Sequence, residues 1–276
     1  LVRKGEQPHT LVMSATPIPR TLALLVYGDL DVSIIDELPP GRQPVQTVCV
    51  DERYRARLNA FIDKLIGEGR QVFVVCPKVE ETDDVPSDLK SAEEHAQALQ
   101  RTFPQHRVAC IHGRMKAKDK DACMAAFAAG ETDILVSTTV IEVGVDVPNA
   151  ALMIIENAER FGLSQLHQLR GRVGRGKYAS TCILVTEAQN DETLQRLRLF
   201  CSTTDGFKVA DEDLRLRGPG DFFGERQHGL PKLKIADMLN DMQILQEAQQ
   251  CAKELTERDP ELSSPALRGL RAEMRR

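Results

Sequence analysis

The stretch Ile134-Leu-Val-Ser-Thr-Thr-Val-Ile-Glu-Val-Gly-Val-Asp-Val-Pro148 sets the organisation of this chain. Its first residues, Ile134 to Val136, form a short apolar run of the kind found in buried strands. Gly144 and Asp146 lie in a turn marked by glycine and proline, and a second apolar run begins at Ala151. Three hydroxyl side chains stand where the first strand should end: Ser137, Thr138 and Thr139.

A second block follows closely, Gln165-Leu-His-Gln-Leu-Arg-Gly-Arg-Val-Gly-Arg-Gly176. We expect Gln168, Arg172 and Arg175 to lie near one another at the head of a short helix. Residues 161–177 include four lysines or arginines and no acidic residue, which is typical of a site for polyanions. Together the two blocks suit two phosphate-bearing partners, a nucleotide and a nucleic-acid backbone.

Outward from these blocks, strand-like and helix-like segments alternate. The predicted strands are Val45 to Val50, Gln71 to Cys76, Arg107 to Ile111, Ile134 to Val136, Ala151 to Ile155 and Thr181 to Val185. The predicted helices between them are 52–66, 91–102, 116–129 and 164–173. Buried strands alternating with helices predict an α/β fold with a parallel sheet flanked by helices on both faces. In such sheets ligands lie beyond the carboxyl ends of the strands. The turn His112-Gly113-Arg114-Met115 and the hydroxyls after Val136 fall at such ends.

The β pattern stops after Val185. Helical spacing of apolar residues in 194–201 and 207–214 predicts a helical hairpin, with 203–206 as its turn. We expect Gly218-Pro219-Gly220 to end its second helix, 235–255 to form a longer helix, and 261–276 to be poorly specified.

At the other end of the chain, His9 to Met13 and Val32 to Ile35 look like strands on either side of a helix from Ile18 to Tyr27. Leu38-Pro-Pro-Gly-Arg-Gln-Pro44 has the composition of a linker. We therefore expect three parts: residues 1–38 as the tail of a preceding domain, 39–188 as the sheet domain, and 189–276 as a helical region.

Composition excludes several classes of protein. The 42% hydrophobic and 28% charged fractions are those of an ordinary globular protein. We expect a cytoplasmic location, because the seven cysteines include no Cys-x-x-Cys pair and neither a signal peptide nor a membrane-spanning run is visible. The histidines show no ligand spacing, so no metal site is predicted. A net charge of −5 does not indicate nucleic-acid binding, although a local basic surface suffices for it.

Three segments resemble motifs of superfamily 2 helicases. Ser14, Ala15 and Thr16 resemble motif III, the Ser137 to Pro148 run resembles motif V, and Gln168-x-x-Gly171-Arg172-x-Gly174-Arg175 resembles motif VI. The longer run 14–21, together with Arg217-Gly-Pro-Gly-Asp221 and Arg226-Gln227, is similar to the C-terminal half of the RecG family of bacterial DNA helicases. The similarity extends over nearly the whole chain.

This resemblance implies a RecA-like second motor domain followed by a helical translocation motif, within an ATP-dependent helicase that remodels branched DNA. It implies arginine fingers at Arg172 and Arg175, which stabilise charge during phosphoryl transfer. The remaining roles that it implies are nucleotide contacts at Gly144, Asp146 and Gln168; DNA contacts at His112, Gly113, Arg114, Ser137, Thr138 and Thr139; and coupling at Ser14, Ala15, Thr16, Arg196, Arg217 and Gln227. It also implies ATP and Mg²⁺ as cofactors, with branched DNA, the missing wedge and first motor domain, and a single-stranded-DNA-binding protein as partners.

The run Gly171-Arg-Val-Gly-Arg-Gly-Lys177-Tyr178 nearly matches a phosphate-binding P-loop. It fails because Tyr178 cannot replace the small hydroxyl that holds Mg²⁺, and because its glycines follow a helix instead of a strand. No other Gly-Lys pair occurs in the sequence, so we expect the chain as a whole to contain half of an ATP site and to be inactive alone. Two alternatives stay open, the C-terminal motor of the transcription-repair coupling factor Mfd and a non-catalytic binding domain.

Overall fold

The computed structural model describes residues 11, 13, 33–35, 37, 39, 42–77, 87–138, 146–223 and 242–274. Residues from Glu37 to Ala210 belong to one compact unit. Residues from Asp211 onward belong to a second unit. The helix predicted at 18–27 lies outside the described residues. Residues 33–35 form no strand, because a strand requires a hydrogen-bonded neighbour and the structure pairs them with none of the residues it describes.

The first unit is built on a parallel sheet, as predicted. Its six strands are β1 (Val45–Val50), β2 (Gln71–Val75), β3 (Val108–Ile111), β4 (Ile134–Ser137), β5 (Ala150–Ile155) and β6 (Ser180–Val185). They lie in the order β1-β6-β5-β2-β4-β3, and every neighbouring pair is parallel. The helices of this unit are α1 (Arg55–Gly67), α2 (Ser87–Thr102), α3 (Ala117–Ala128), α4 (Leu163–Arg170) and α5 (Asp191–Ser202). All six strands and the four helices predicted between them are therefore confirmed, with small shifts in their ends.

Side chains from alternate positions of the central strands enter two separate hydrophobic cores, one on each face of the sheet. Val72 and Val74 of β2 pack with Leu58 and Ile62 of α1 and with residues of α2. Phe73, between them, points to the opposite face and packs with residues of α3, α4 and α5. Because both faces are covered, the sheet leaves only its strand ends open to a ligand.

Both helices of the predicted hairpin are present, and the second is longer than predicted. After α5, helix α6 spans Gly206–Phe223 and so passes through Gly218-Pro219-Gly220, where we expected it to end. Proline removes one amide donor and bends a helix, but the chain can resume helical geometry beyond it.

Two further helices follow, α7 (Met242–Arg258) and α8 (Arg268–Met274). Helix α8 lies within the tail 261–276, which we expected to be poorly specified. The beginning of the predicted helix 235–255 lies outside the described residues. None of the helices that the structure describes has the length and apolar character needed to cross a membrane.

Candidate functional site

The arginine-rich block lies at the amino edge of the sheet. Helix α4 ends at Arg170, and the loop 171–179 leads into β6 at Ser180. Arg172 and Arg175 therefore follow the C-terminal end of the helix, which corrects the expectation that they lie at its head. A parallel strand and the helix that precedes it run in opposite directions, so this helix end is level with the starts of the strands. The order helix, loop, strand also confirms that the glycines here do not form a P-loop.

Arg175 joins this loop to the turn before β5. Its Nη1 donates to Asp146 Oδ1 across 2.9 Å, and its Nε donates to the carbonyl oxygen of Gly171 across 3.0 Å. The side chains of Arg175 and Asp146 are 30% and 57% exposed, so the pair lies on the surface of the unit. Two residues that the sequence assigned to nucleotide contact from separate motifs are thus adjacent in space.

Two glycines allow this close approach. Gly174 has φ of +76°, and a Cβ added there would lie 2.7 Å from Cγ2 of Val45, the first residue of β1. A Cβ on Gly176 would overlap the carbonyl oxygen of Pro148. These two glycines therefore seat the arginine loop against the start of β1 and against the turn that carries Asp146.

Arg170 differs from the other basic residues of the block because it is buried. Its Nη1 donates to the carbonyl oxygens of Thr203, at 2.7 Å, and Phe200, at 3.2 Å, and its guanidinium lies 4.2 Å from the centre of the Phe200 ring. It is therefore an anchor for the end of α5 and not part of a surface for polyanions. The sequence contained a signal for this, since Arg170 shares a helical stripe with Leu163 and Leu166.

His167 supports the same anchor. Burial first, and then the nearby charges of Arg170 and Arg42, lower the pKa of His167 to about 4. The ring is therefore neutral at neutral pH, and its Nδ1, 3.1 Å from Arg170 Nη2, is the acceptor of that contact.

The other motif VI residues are half-buried. The backbone amide of Arg172 donates to the carbonyl of Leu169 at 3.0 Å, which closes a turn directly after the helix. Gln168 lies in the last turn of α4. Gly144 lies outside the described residues, as do Ser14, Ala15 and Thr16.

The residues predicted to contact DNA lie at the opposite, carboxyl edge of the sheet. Ser137 ends β4 and is fully buried, and its hydroxyl donates to the carbonyl oxygen of Thr138. Thr138 is also buried, and its amide donates to the carbonyl of Ile111. The expectation that both hydroxyls face DNA is therefore not met in this structure, because the strand end folds inward and pairs within the unit. Thr139 lies outside the described residues.

The turn after β3 is more accessible. Gly113 and Arg114 are exposed, and the Gly113 carbonyl accepts a hydrogen bond from Lys120 Nζ at 2.8 Å. His112 is partly buried, with its Nε2 3.6 Å from Glu93 Oε1. This turn places basic side chains on the surface at the carboxyl edge.

A buried ion pair at the same edge escaped the sequence analysis. Glu156, directly after β5, accepts two hydrogen bonds from Arg55, at 2.7 and 2.8 Å, and its Oε1 lies 3.4 Å from His95 Nε2. Burial acts to raise the pKa of Glu156, but its bonds with Arg55 and His95 outweigh burial and bring the pKa to about 2. The three side chains line a pocket of about 400 Å³. The sequence contained one signal for this pair, because Glu156 is a carboxylate that directly follows the six apolar residues 150–155.

Of the three residues assigned to coupling in the helical region, one is described in full. Arg196, on α5, donates from Nη2 to the carbonyl oxygen of Glu159 at 2.7 Å, in the turn after β5. The side chain of Arg217 and all of Gln227 lie outside the described residues. No group of His, Cys, Asp or Glu side chains suited to hold a metal ion occurs in the part of the chain that the structure describes.

Comparison with known families divides the chain in the same order. The family described as "Helicase conserved C-terminal domain" matches residues 56–177, which contain strands β2 to β5 and both Arg172 and Arg175. The family described as "ATP-dependent DNA helicase RecG, domain 3, C-terminal" matches residues 203–275. The second match favours RecG over the alternative of a coupling factor.

Individual relatives agree with these matches. The ATP-dependent DNA helicase RecG of Synechocystis is 50% identical over 265 residues, which cover 96% of this chain and 32% of that protein. RecG of Escherichia coli K12 is 49% identical over 264 residues, or 94% of this chain and 37% of that protein. The solved structure of RecG bound to a three-way DNA junction superposes with a TM-score of 0.70 at 49% identity, over 89% of this chain and 31% of its own. The chain therefore spans about a third of these relatives, and it belongs to the RecG family, whose C-terminal part it matches.

Proposed function

We propose that this chain provides the second nucleotide-facing surface of an ATP-dependent DNA helicase that acts on branched DNA. The observation that carries the proposal is the Arg175–Asp146 pair, which brings the motif V and motif VI residues together on one surface. Guanidinium groups stabilise the charge that develops during phosphoryl transfer. Since both side chains are partly exposed, a nucleotide held by another domain can reach them.

In this proposal Arg172 and Arg175 act on the phosphates, while Gly144, Asp146 and Gln168 contact the rest of the nucleotide. A helicase must also bind its track, and we assign this to the carboxyl edge, through the turn formed by His112, Gly113 and Arg114. Sequence-independent contacts with phosphates suit a motor. We assign no Mg²⁺ ligand to the described residues, because none of them forms a suitable group.

Support for branched DNA comes from relatives. One solved RecG, 49% identical to this chain, is bound to a three-way DNA junction. We propose the same class of substrate here, with the hairpin of α5 and α6 and the residues Arg196, Arg217 and Gln227 coupling hydrolysis to movement.

The test uses a full-length protein that contains this chain and, beside it, the 276-residue chain alone. We expect the full-length protein to hydrolyse ATP when a three-way junction is added, and the chain alone to release no phosphate, because it contains no P-loop. Two results would overturn the proposal. The first is that a three-way junction does not stimulate ATP hydrolysis by the full-length protein, and the second is sustained hydrolysis by the chain alone. The first result would favour a non-catalytic binding domain.

A further inference from the structure

Arg42 contacts the arginine loop from a segment to which no role has been assigned. It lies three residues before β1, within the stretch that the sequence marks as a linker. Its Nη2 donates to the carbonyl oxygen of Gly171 across 2.8 Å, 129 positions away in the chain. This carbonyl belongs to the residue that caps α4, so Arg42 holds the point at which the loop leaves the helix.

Arg175 uses the same carbonyl oxygen. Its Nε lies 3.0 Å from Gly171 O, on which both guanidiniums therefore converge. A carbonyl oxygen has two lone pairs and can accept both bonds. Arg42 therefore helps to fix the Gly171 carbonyl oxygen, and that oxygen in turn helps to fix Arg175.

The residues next to Arg42 follow the same loop. A Cβ on Gly174 would lie 3.3 Å from the carbonyl oxygen of Gln43 and 2.7 Å from Cγ2 of Val45. The segment 42–45 therefore packs along the loop at both ends, through a hydrogen bond at Gly171 and through van der Waals contact at Gly174.

Arg42 and Arg175 are both positively charged, so their close approach requires nearby groups that offset the repulsion between them. The pKa of Arg42 is lowered, first by burial and then by the positive charge of Arg175, while Asp146 acts in the opposite direction. Two like charges in this position repel each other. The Gly171 carbonyl and the Asp146 carboxylate are the groups that offset that repulsion.

We propose that Arg42 is a positioning residue for Arg175, which fixes the finger arginine by holding the Gly171 carbonyl that both share. The inference rests on the proposed function, since it assumes that Arg175 acts on a nucleotide. Arg42 itself reaches no reacting atom in this scheme and acts only through the loop.

The experiment is a double-mutant cycle in the full-length protein, with Arg42→Ala, Arg175→Ala and both together, assayed for steady-state ATP hydrolysis with junction DNA. We expect Arg42→Ala to lower kcat about 10- to 100-fold, as misplacement of a catalytic group does, and to change the KM for ATP by no more than about twofold. In the Arg175→Ala background, we expect the same substitution to lower kcat by less than about twofold, because its target is already absent. Arg53→Ala is the matched control, since Arg53 is 87% exposed and pairs with Asp51 in the same unit.

The outcomes distinguish the positioning role of Arg42 from the proposed function. If Arg42→Ala lowers kcat by the same factor in both backgrounds, or leaves kcat unchanged while Arg175→Ala abolishes it, the positioning inference is wrong and the proposed function stands. If Arg175→Ala leaves turnover intact, the proposed function itself fails. Should Arg42→Ala lower the melting temperature well below that of the control, Arg42→Lys takes its place in the cycle.

Discussion

Arg175 and Asp146 lie 29 positions apart in the chain and satisfy each other across 2.9 Å at the surface of the sheet domain. Both are residues that we expect to contact nucleotide. An ion pair this exposed is worth no more than about 1 kcal/mol, so an arriving nucleotide can replace it at little cost. The pair therefore gives both side chains a defined position in the absence of a ligand.

The finger arginines give the first prediction. In the full-length protein, Arg175→Ala and Arg172→Ala should each lower the turnover of ATP by roughly 10³-fold or more, because finger arginines stabilise charge in the transition state. Nucleotide affinity should change little. Turnover by phosphate release and affinity by fluorescent-nucleotide titration would be measured on the same preparations. A loss of affinity as large as the loss of turnover would contradict the role that we assign.

A second prediction separates backbone strain from contact at the loop. Gly174 and Gly130 have nearly equal φ, +76° and +78°, but only Gly174 has a neighbour that a Cβ would strike. Gly130→Ala should cost about 1–2 kcal/mol of unfolding free energy, the cost of left-handed backbone for an L-residue. Gly174→Ala should cost about 1–3 kcal/mol more, because it also overpacks against Val45. Urea denaturation of the chain measures both, and equal losses would show that the loop can shift away from β1.

A third prediction contrasts two arginines that are neighbours in sequence. Arg170→Ala should lower the free energy of unfolding by about 3 kcal/mol, because it leaves the buried carbonyl oxygen of Phe200 and the partly buried one of Thr203 without their donor. Arg172→Ala should cost less than about 1 kcal/mol, as expected of a half-exposed side chain. Similar losses for the two variants in urea denaturation would contradict the assignment of Arg170 as the structural member of the block.

The fourth prediction concerns pH. His167 has a pKa of about 4 in the folded chain, below its ordinary value of 6.5, so the unfolded state binds the proton more tightly. The stability that the neutral ring provides is thus fully present above pH 6.5 and is lost as pH falls from 6.5 towards 4. The loss should be on the order of 2 kcal/mol, somewhat less than the full shift allows, because the ring keeps some contact with solvent.

His167→Asn tests this directly. Asparagine offers Arg170 an acceptor but does not titrate, so the variant should lose less stability than the original chain over that pH interval. The comparison requires urea denaturation at several pH values. Parallel pH profiles for the two proteins would show that another group is responsible.

The sheet was predictable because strands buried on both faces appear in the sequence as uninterrupted apolar runs. Val45 to Val50 was predicted to the residue, and the ends of β2 and β5 to within one. The path of the chain beyond a strand was harder to predict. Whether a hydroxyl such as that of Ser137 faces solvent or turns inward depends on local backbone geometry, which the apolar pattern does not encode.

Contacts between residues that are far apart in the sequence were also not predicted. Arg55 and Glu156 are 101 positions apart, and the local sequence around each residue does not indicate which residue it pairs with. Arg170 looked like one more cation of a basic block until its contacts with α5 were seen. The family resemblance implied roles for Arg172 and Arg175, but it did not indicate that Arg170 is structural.

The two candidate interfaces lie at opposite ends of the same strands. Asp146 is four residues before the start of β5, while β4, two positions from β5 in the sheet, ends at Ser137. A six-residue strand is about 20 Å long, and each central strand is hydrogen-bonded on both sides, so it yields little when pushed along its axis. We therefore expect a displacement imposed at the amino edge to reach the carboxyl edge almost undiminished. In mechanical terms the sheet is a rigid rod, and any bending of this unit has to occur in the segments that flank it.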